Sequence, residues 1–459
     1  MSLPDDVLLL VGNFLDDHPD RYNLIFVCQR FHKLFLPNAY RSASLKTCRH
    51  VQSFLRPTLK HPELARAVRS LHFDCWQDKT SSGYVTITDQ DKLLLGKWIQ
   101  SISLSQEEYS QWEEDLSNGV SEAWIALLLP LASNLRQLRL VYPQRNTYLD
   151  RIIRRAVNKE YPALQSLRDV SLSHLNDDSE DTTGTYLPSQ IVPFFRLPQM
   201  RIFSADSVIE SALAQDTQDN IRQEPSQGIS SISEIKLTAS NGAKGMEGLI
   251  TSCSGLRSFK YQHSDSHLYS EGYRPSAFYS SLSGCKDTLT TLWLDDCGTH
   301  LPFTITGANE THDEWFGSLA DFAALRDMRI RLPNLLDVRY QPEPPFPLSD
   351  ILPKSIESLY IEDCKENSLS MLLSQIETVI SKHASRFPAL KRLNIEGFFH
   401  EDEDYEDSGY ESVTDRGVKV IKPRVYELFG PLQELCTQGG ISLAVRDRLC
   451  LVTMQGSPT

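Results

Sequence analysis

The chain has 459 residues, of which 40% are hydrophobic and 23% charged, and its formal net charge is −14. This is the composition of a folded protein, with too little charge excess for a disordered chain and no apolar run long enough to span a bilayer. The acidic balance excludes a general affinity for nucleic acid or an anionic membrane, both of which require a cationic surface.

The first residues read MSLPDDVLLLVGNFLDDHPD. Pro4, the acids Asp5 and Asp6, and Val7, Leu8, Val11, Phe14 and Leu15 at spacings of three and four predict an amphipathic helix with a wide apolar face. The acids ahead of Val7 and the lack of a small-residue cleavage site set this stretch apart from a signal-peptide core. After a break at Pro19, Asp20 is placed to cap a second helix carrying Leu24, Val27, Cys28, Phe31, Leu34 and Phe35, which Pro37 ends.

These residues resemble the F-box family: Leu3-Pro4, a short helix with Val7, Leu8, Val11 and Leu15, then Leu24, Val27, Cys28 and Phe31, with Tyr40, Arg41 and Leu45 at the exit. Asp6 stands where a glutamate is more usual, which keeps the charge. The resemblance implies an F-box domain over residues 1–46 whose helix residues Leu3, Pro4, Val7, Leu8, Val11, Phe14 and Leu15 bind a Skp-type adaptor, and through it a cullin and a RING subunit.

Residues 47–130 read as a mainly helical connecting region with one strand, VRSLHF from Val68. Trp76, Trp98, Trp112 and Trp124 supply apolar area that a flexible linker would not carry, so this region is expected to pack on the repeats that follow.

From residue 131 an L-x-x-L-x-L alternation recurs, clearest at Leu135, Leu289, Ile356 and Leu390. The middle apolar residues fall at 138, 170, 203, 235, 259, 292, 328, 359 and 393, in steps of 24 to 36. Between them lie helical stretches such as Ala123 to Leu131, Thr147 to Lys159 and Leu369 to Ser385. A strand followed by a helix, repeated, predicts an α/β fold: a leucine-rich-repeat-like solenoid over residues 131–459, with parallel strands inside and helices outside. It is similar to the irregular leucine-rich repeats of F-box proteins of the fungal type. Cys297 and Cys364 fall where that pattern places Asn or Cys, which gives both thiols a structural role.

The residue between the last two apolar positions of each repeat points away from the core. Through the repeats this column reads Arg139, Ser171, Ser204, Lys236, Lys260, Trp293, Arg329, Tyr360 and Asn394. Arg139, Lys236, Lys260, Trp293, Arg329 and Tyr360 are therefore candidates for binding an unknown protein substrate, acidic or phosphorylated, with Asp295, Glu362 and Glu396 as flanking acids.

Residues 176–187, 214–231 and 340–350 are polar or proline-rich loops, and a disordered acidic insert is expected near 400–415. Within it D-S-G-Y-E-S resembles a D-S-G-x-x-S phosphodegron and makes Ser408 and Ser412 candidate phosphorylation sites.

No phosphate-loop, metalloprotease, nucleophile-elbow or zinc spacing occurs, and SNGAKGMEG at 240–248 reads as a turn between repeats. No cofactor is called for. The nine scattered cysteines lack a C-x-x-C pair and point to a reduced chain in the cytosol or nucleus. The reading is a non-catalytic substrate receptor of an SCF-type ubiquitin ligase. The alternative is a leucine-rich-repeat scaffold or regulator whose N-terminal helices only cap the first repeat, and apolar exposure separates the two.

Overall fold

The computed structural model describes residues 3–15, 18–73, 89–141, 146–173, 188–210, 228–264, 273–296, 312–339, 343–400, 421–447 and 454–455. The chain divides into two units, Met1–Ser207 with Ile229–Ile232, and Val208–Gly228 with Ser233–Thr459.

The first unit opens with three helices, α1 (Asp5–Asn13), α2 (His18–Asn23) and α3 (Gln29–Ala39). The second helical pattern is therefore split. Cys28 is extended, at φ −163° and ψ 170°, and its sulfur accepts from the Phe31 N–H at 3.5 Å, so α3 restarts there after a short 3₁₀ turn at Leu24–Phe26. Asp20 lies inside the first turn of α2, not ahead of it, and Pro37 sits within the end of α3.

Five parallel strands follow in chain order: β1 (Ser42–Leu45), β2 (Ser70–Phe73), β3 (Gln137–Val141), β4 (Asp169–Ser173) and β5 (Ile202–Asp206). Alternate residues face the core, and register aligns them into continuous rows. Ala43, Leu71, Leu138, Val170 and Phe203 form one, and Leu45, Phe73, Leu140, Leu172 and Ala205 the next.

Helices α4 (Cys48–Lys60), α5 (Pro62–Ala67), α6 (Asp89–Ile102), α7 (Gln106–Ser117), α8 (Ser121–Leu128), α9 (Thr147–Val157) and α10 (Pro188–Phe195) complete the unit. Trp112 and Trp124 are buried among them, Trp112 with its ring centroid 4.0 Å from that of Tyr148, and the Trp98 Nε1–H donates to the Leu127 carbonyl at 3.0 Å. Trp76 lies outside the described residues. Glu108 of α7 is clamped by Arg155 at 2.7 Å and Arg151 at 3.0 Å, both from α9.

The second unit carries β6 (Glu234–Ser240), β7 (Ser258–His263), β8 (Thr291–Asp296), β9 (Asp327–Arg331), β10 (Ser358–Cys364), β11 (Arg392–Gly397) and β12 (Ser442–Asp447), all parallel, and β13 (Met454–Gln455), antiparallel to β12. Its core row runs Ile235, Phe259, Leu292, Met328, Leu359, Leu393 and Leu443. The nine core positions expected from the alternation all lie on strands in these rows. Helices α11 (Glu247–Ile250), α12 (Pro275–Leu282), α13 (Leu332–Leu335), α14 (Leu348–Ile351), α15 (Leu369–Ser381), α16 (His383–Arg386) and α17 (Pro423–Gln438) connect the strands.

In both units a joint repeats just ahead of β2 to β5 and β7 to β11: one carbonyl accepts two N–H groups from the next repeat. Arg41 O accepts from Arg69 N at 2.8 Å and Ser70 N at 3.0 Å, and Ser233 O accepts from Arg257 N and Ser258 N at the same distances. The joint satisfies backbone groups that would otherwise be stranded where the chain enters the sheet.

Glu122, buried at the start of α8, accepts from the N–H groups of Tyr148 and Leu149 at 2.6 and 2.7 Å and so tethers the first turn of α9. Burial outweighs these bonds and pushes its carboxyl from 4.5 up to about 7. A raised acid binds its proton more tightly folded than unfolded, so stability falls as pH rises from about 4.5 to about 7. Glu122→Gln keeps an acceptor oxygen without the charge. Its melting temperature is expected to match wild type at pH 4 and exceed it at pH 8, by up to about 3 kcal/mol of stability; equal curves at pH 8 would contradict the assignment.

Candidate functional site

Two surfaces stand out. The first lies on the N-terminal helices, where Gly12 is buried so closely against α3 that a Cβ there would stand 2.5 Å from the Phe35 ring. Arg30 of α3 reaches back to Asp5 at 2.5 and 2.9 Å and donates to the Leu3 carbonyl, which fixes the rotation of α1. With that face of α1 turned inward, the opposite face has nowhere to go but solvent. Leu3, Val7, Leu10, Val11 and Phe14 are exposed, Phe14 by 76%, and so are Tyr22, Phe26 and Val27. Among the described residues, eight of the fifteen exposed large apolar side chains belong to these first 27 positions. Exposed apolar side chains are thus concentrated on the N-terminal helices rather than scattered singly over the described surface.

Of the residues expected to bind an adaptor, Leu3, Pro4, Val7, Val11 and Phe14 are exposed, while Leu8 and Leu15 are half-buried. Leu10, Tyr22, Phe26 and Val27 are exposed as well and were not among the expected site residues. Tyr22 and Phe26 are four residues apart, with ring centroids 5.2 Å apart, a spacing visible in the sequence.

The second surface is the open face of the strands. In the second unit register places Lys236, Lys260, Trp293, Arg329, Tyr360 and Asn394 side by side in one row, as the alternation predicts. Their charges are not equally available. Lys236 is exposed. The Lys260 ammonium stands 3.6 Å from the Trp293 ring centroid, and the Trp293 Nε1–H donates to Asp327 at 2.8 Å. Arg329 is ion-paired with Asp295 at 3.2 Å and with Glu362, and its guanidinium lies 4.7 Å from the Tyr360 ring centroid. The Tyr360 hydroxyl donates to Glu396, and burial together with that carboxylate pushes the phenol up to about 12. From Lys260 to Tyr360 the row is therefore an alternating cation–aromatic ladder whose Arg329 and Tyr360 are held by acids, not a free cationic track. In the first unit, Arg139 has His72 and Ser171 as its register neighbours, and Ser204 follows.

Cys364 is fully buried, its sulfur 3.9 Å from the carbonyls of Ile361 and Glu362, and its thiol is raised well above its ordinary value by burial and then by Asp363 and Glu396. That thiol is a packing group, not a nucleophile. Cys297, Ser408 and Ser412 lie outside the described residues, as does the acidic insert from 401. The glycine-rich turn at 240–248 holds a carboxylate from its own chain: Glu210 accepts from Lys244 N at 2.8 Å and Met246 N at 3.1 Å. Gly245 has φ +71°, and a Cβ there would meet the Ala277 backbone. Among the described residues no group of His, Cys, Asp and Glu is arranged to hold a metal ion, and no helix is long and apolar enough to cross a membrane.

One parallel strand per repeat, one helix-bearing return, and aligned aliphatic rows define a leucine-rich repeat protein of α/β class. The chain belongs to the leucine-rich repeat domain family, which matches residues 43–421. That match begins inside β1 and leaves α1–α3 outside it. No curated protein matches the chain. The family is one of protein-interaction scaffolds; on this chain the N-terminal helices carry exposed apolar side chains.

Proposed function

We propose that this chain is the substrate-receptor subunit of an SCF-type ubiquitin ligase, docking a Skp-type adaptor through α1–α3 and a target protein through the repeats. The observation that carries the reading is the outward apolar patch of Leu3, Val7, Leu10, Val11, Phe14, Phe26 and Val27. A helical cap would turn such residues onto the first repeat; here Gly12 and Phe35 make the inward contact and the larger apolar face is left for a partner. The adaptor would link the chain to a cullin and a RING subunit in the cytosol or nucleus. The receptor breaks no bond itself; it raises the effective concentration of a target lysine near a charged conjugating enzyme.

The test is direct: purified full-length chain mixed with a recombinant Skp-type adaptor should elute as one stoichiometric complex from a sizing column. Separate elution at tens of micromolar would reject the adaptor reading. Point variants are the proper controls, because β1 begins at Ser42 and deletion of residues 1–46 would strip a strand from the sheet.

Within this reading the strand-face row holds the target. Lys236→Glu with Lys260→Glu reverses the exposed cation and breaks the contact with Trp293. Proximity labelling should then lose targets while retaining the adaptor, and an unchanged target list would move the substrate to another surface.

A further inference from the structure

A cavity of about 490 Å³ in the first unit is lined by Tyr22, Asn38, Ala39, the first residues of β1 to β5, and five arginines: Arg41, Arg69, Arg136, Arg168 and Arg201. These arginines occupy one equivalent position, the joint ahead of each successive strand. Arg69 N donates to Arg41 O, Arg136 N to Arg69 O, Arg168 N to Arg136 O and Arg201 N to Arg168 O, at 2.7 to 2.8 Å. Adjacent parallel strands lie about 4.8 Å apart, so the five side chains start from points a phosphate's width from one another.

Like charges at that spacing repel, and a fold needing no ligand there would be expected to intersperse acids. The second unit does so: the same joint there reads Ser233, Arg257, Thr290, Arg326, Glu357 and Lys391, and Glu357 pairs with both Arg326 at 3.2 Å and Lys391 at 3.7 Å. In the first unit, among the described residues, no carboxylate is ion-paired with Arg41, Arg69, Arg136 or Arg168. The Arg69 side chain donates to the carbonyls of Arg66 and Val68. Burial and then the neighbouring Arg136 and Arg41 lower its affinity for its proton, a sign of the crowding. The single acid lining the cavity is Asp169, which accepts from the Gln137 amide at 3.4 Å and whose carboxyl is raised by burial.

We propose that this cavity is a binding site for a ligand carrying two or more phosphate groups, each held by guanidinium forks from adjacent repeats. Arginine suits this task because its planar fork donates two parallel hydrogen bonds to one phosphate. The volume is that of a small-molecule site, and Tyr22, Asn38, Ser42 and Ser70 supply further polar edges. The cavity shares Tyr22 with the exposed N-terminal apolar residues, but its five arginines belong neither to them nor to the row of Lys236 and Lys260, so the site stands whether or not the ligase reading does.

Two probes separate the sources of the phosphates: inorganic tripolyphosphate, and a short peptide bearing two phosphoserines beside its unphosphorylated form. Calorimetric titration into the full-length chain should show binding of at least one phosphorylated probe, weakening with salt, and none of the unphosphorylated peptide. Preference for tripolyphosphate identifies a small polyanion as the ligand class, and preference for the peptide a phosphorylated segment. Arg136→Gln with Arg168→Gln should weaken the bound probe at least roughly tenfold, the loss of charge-assisted bonds to phosphate. Asp169→Asn should tighten it, and provides the readout if the double variant folds poorly. Failure of both probes to bind the wild type, or equal affinity across wild type and both variants, would overturn the proposal.

Discussion

A Val7→Asp, Val11→Asp variant is expected to lose the Skp-type adaptor entirely while its repeats melt at the wild-type temperature. Both side chains are exposed in the free chain, so aspartate there costs the fold little. In a docked complex the same carboxylates would be buried against an apolar partner without a cation, a penalty of several kcal/mol each and enough to take a micromolar complex beyond detection. Pull-down of recombinant adaptor, read beside a thermal melt, separates the two effects. An adaptor that still binds would place the docking face elsewhere. A lowered melting point would mean that α1 packs its outer face after all.

Arg331→Ala is expected to be the most damaging single change in the second unit. Arg331 closes β9 with its side chain buried, pairs with Asp363 at 2.6 Å and Asp313 at 3.1 Å, and donates to the His312 carbonyl at 3.1 Å. Asn334 holds the same carbonyl at 2.6 Å. Asp363 has φ +53°, where the β10 register shifts, so its backbone is already in a conformation few non-glycine residues adopt. Truncating the arginine leaves that carboxylate buried and uncompensated, a loss of about 3–5 kcal/mol. Denaturant melts should show it, and adding Asp363→Asn should restore part of the loss. If the single change costs under about 1 kcal/mol, the pair is solvated in solution.

The repeats were legible because their signal is redundant. Each strand needs two inward apolar residues two positions apart, and Leu138 with Leu140, Leu292 with Leu294 or Leu393 with Ile395 state this without help from neighbours. β1 lacks this signal, since Ser42-Ala43-Ser44-Leu45 offers small residues in place of leucines and is held by register with β2 instead. The exposed face of α1 was half legible: spacing names the apolar positions of α1 but not which face turns inward, and that is set by Gly12 meeting Phe35, a contact 23 residues distant in sequence. The arginine joint was present in plain view, with arginine two residues before each core position at 43, 71, 138, 170 and 203. The alternation that marks the strands carries no information about this column, which stands just ahead of them.

The two-residue strand β13 runs against the direction of the other strands of the second unit, pairing Met454 with Val445 and Gln455 with Ala444. A parallel sheet grown one repeat at a time has no intrinsic stopping point, since its last strand offers the same unpaired N–H and C=O groups that recruited the one before. By folding back, β13 occupies those groups at the middle of β12 with a partner of the opposite polarity, onto which a further repeat could not stack in register. Its removal would expose those groups of β12 as a template for a second copy of the sheet, visible as concentration-dependent self-association in light scattering.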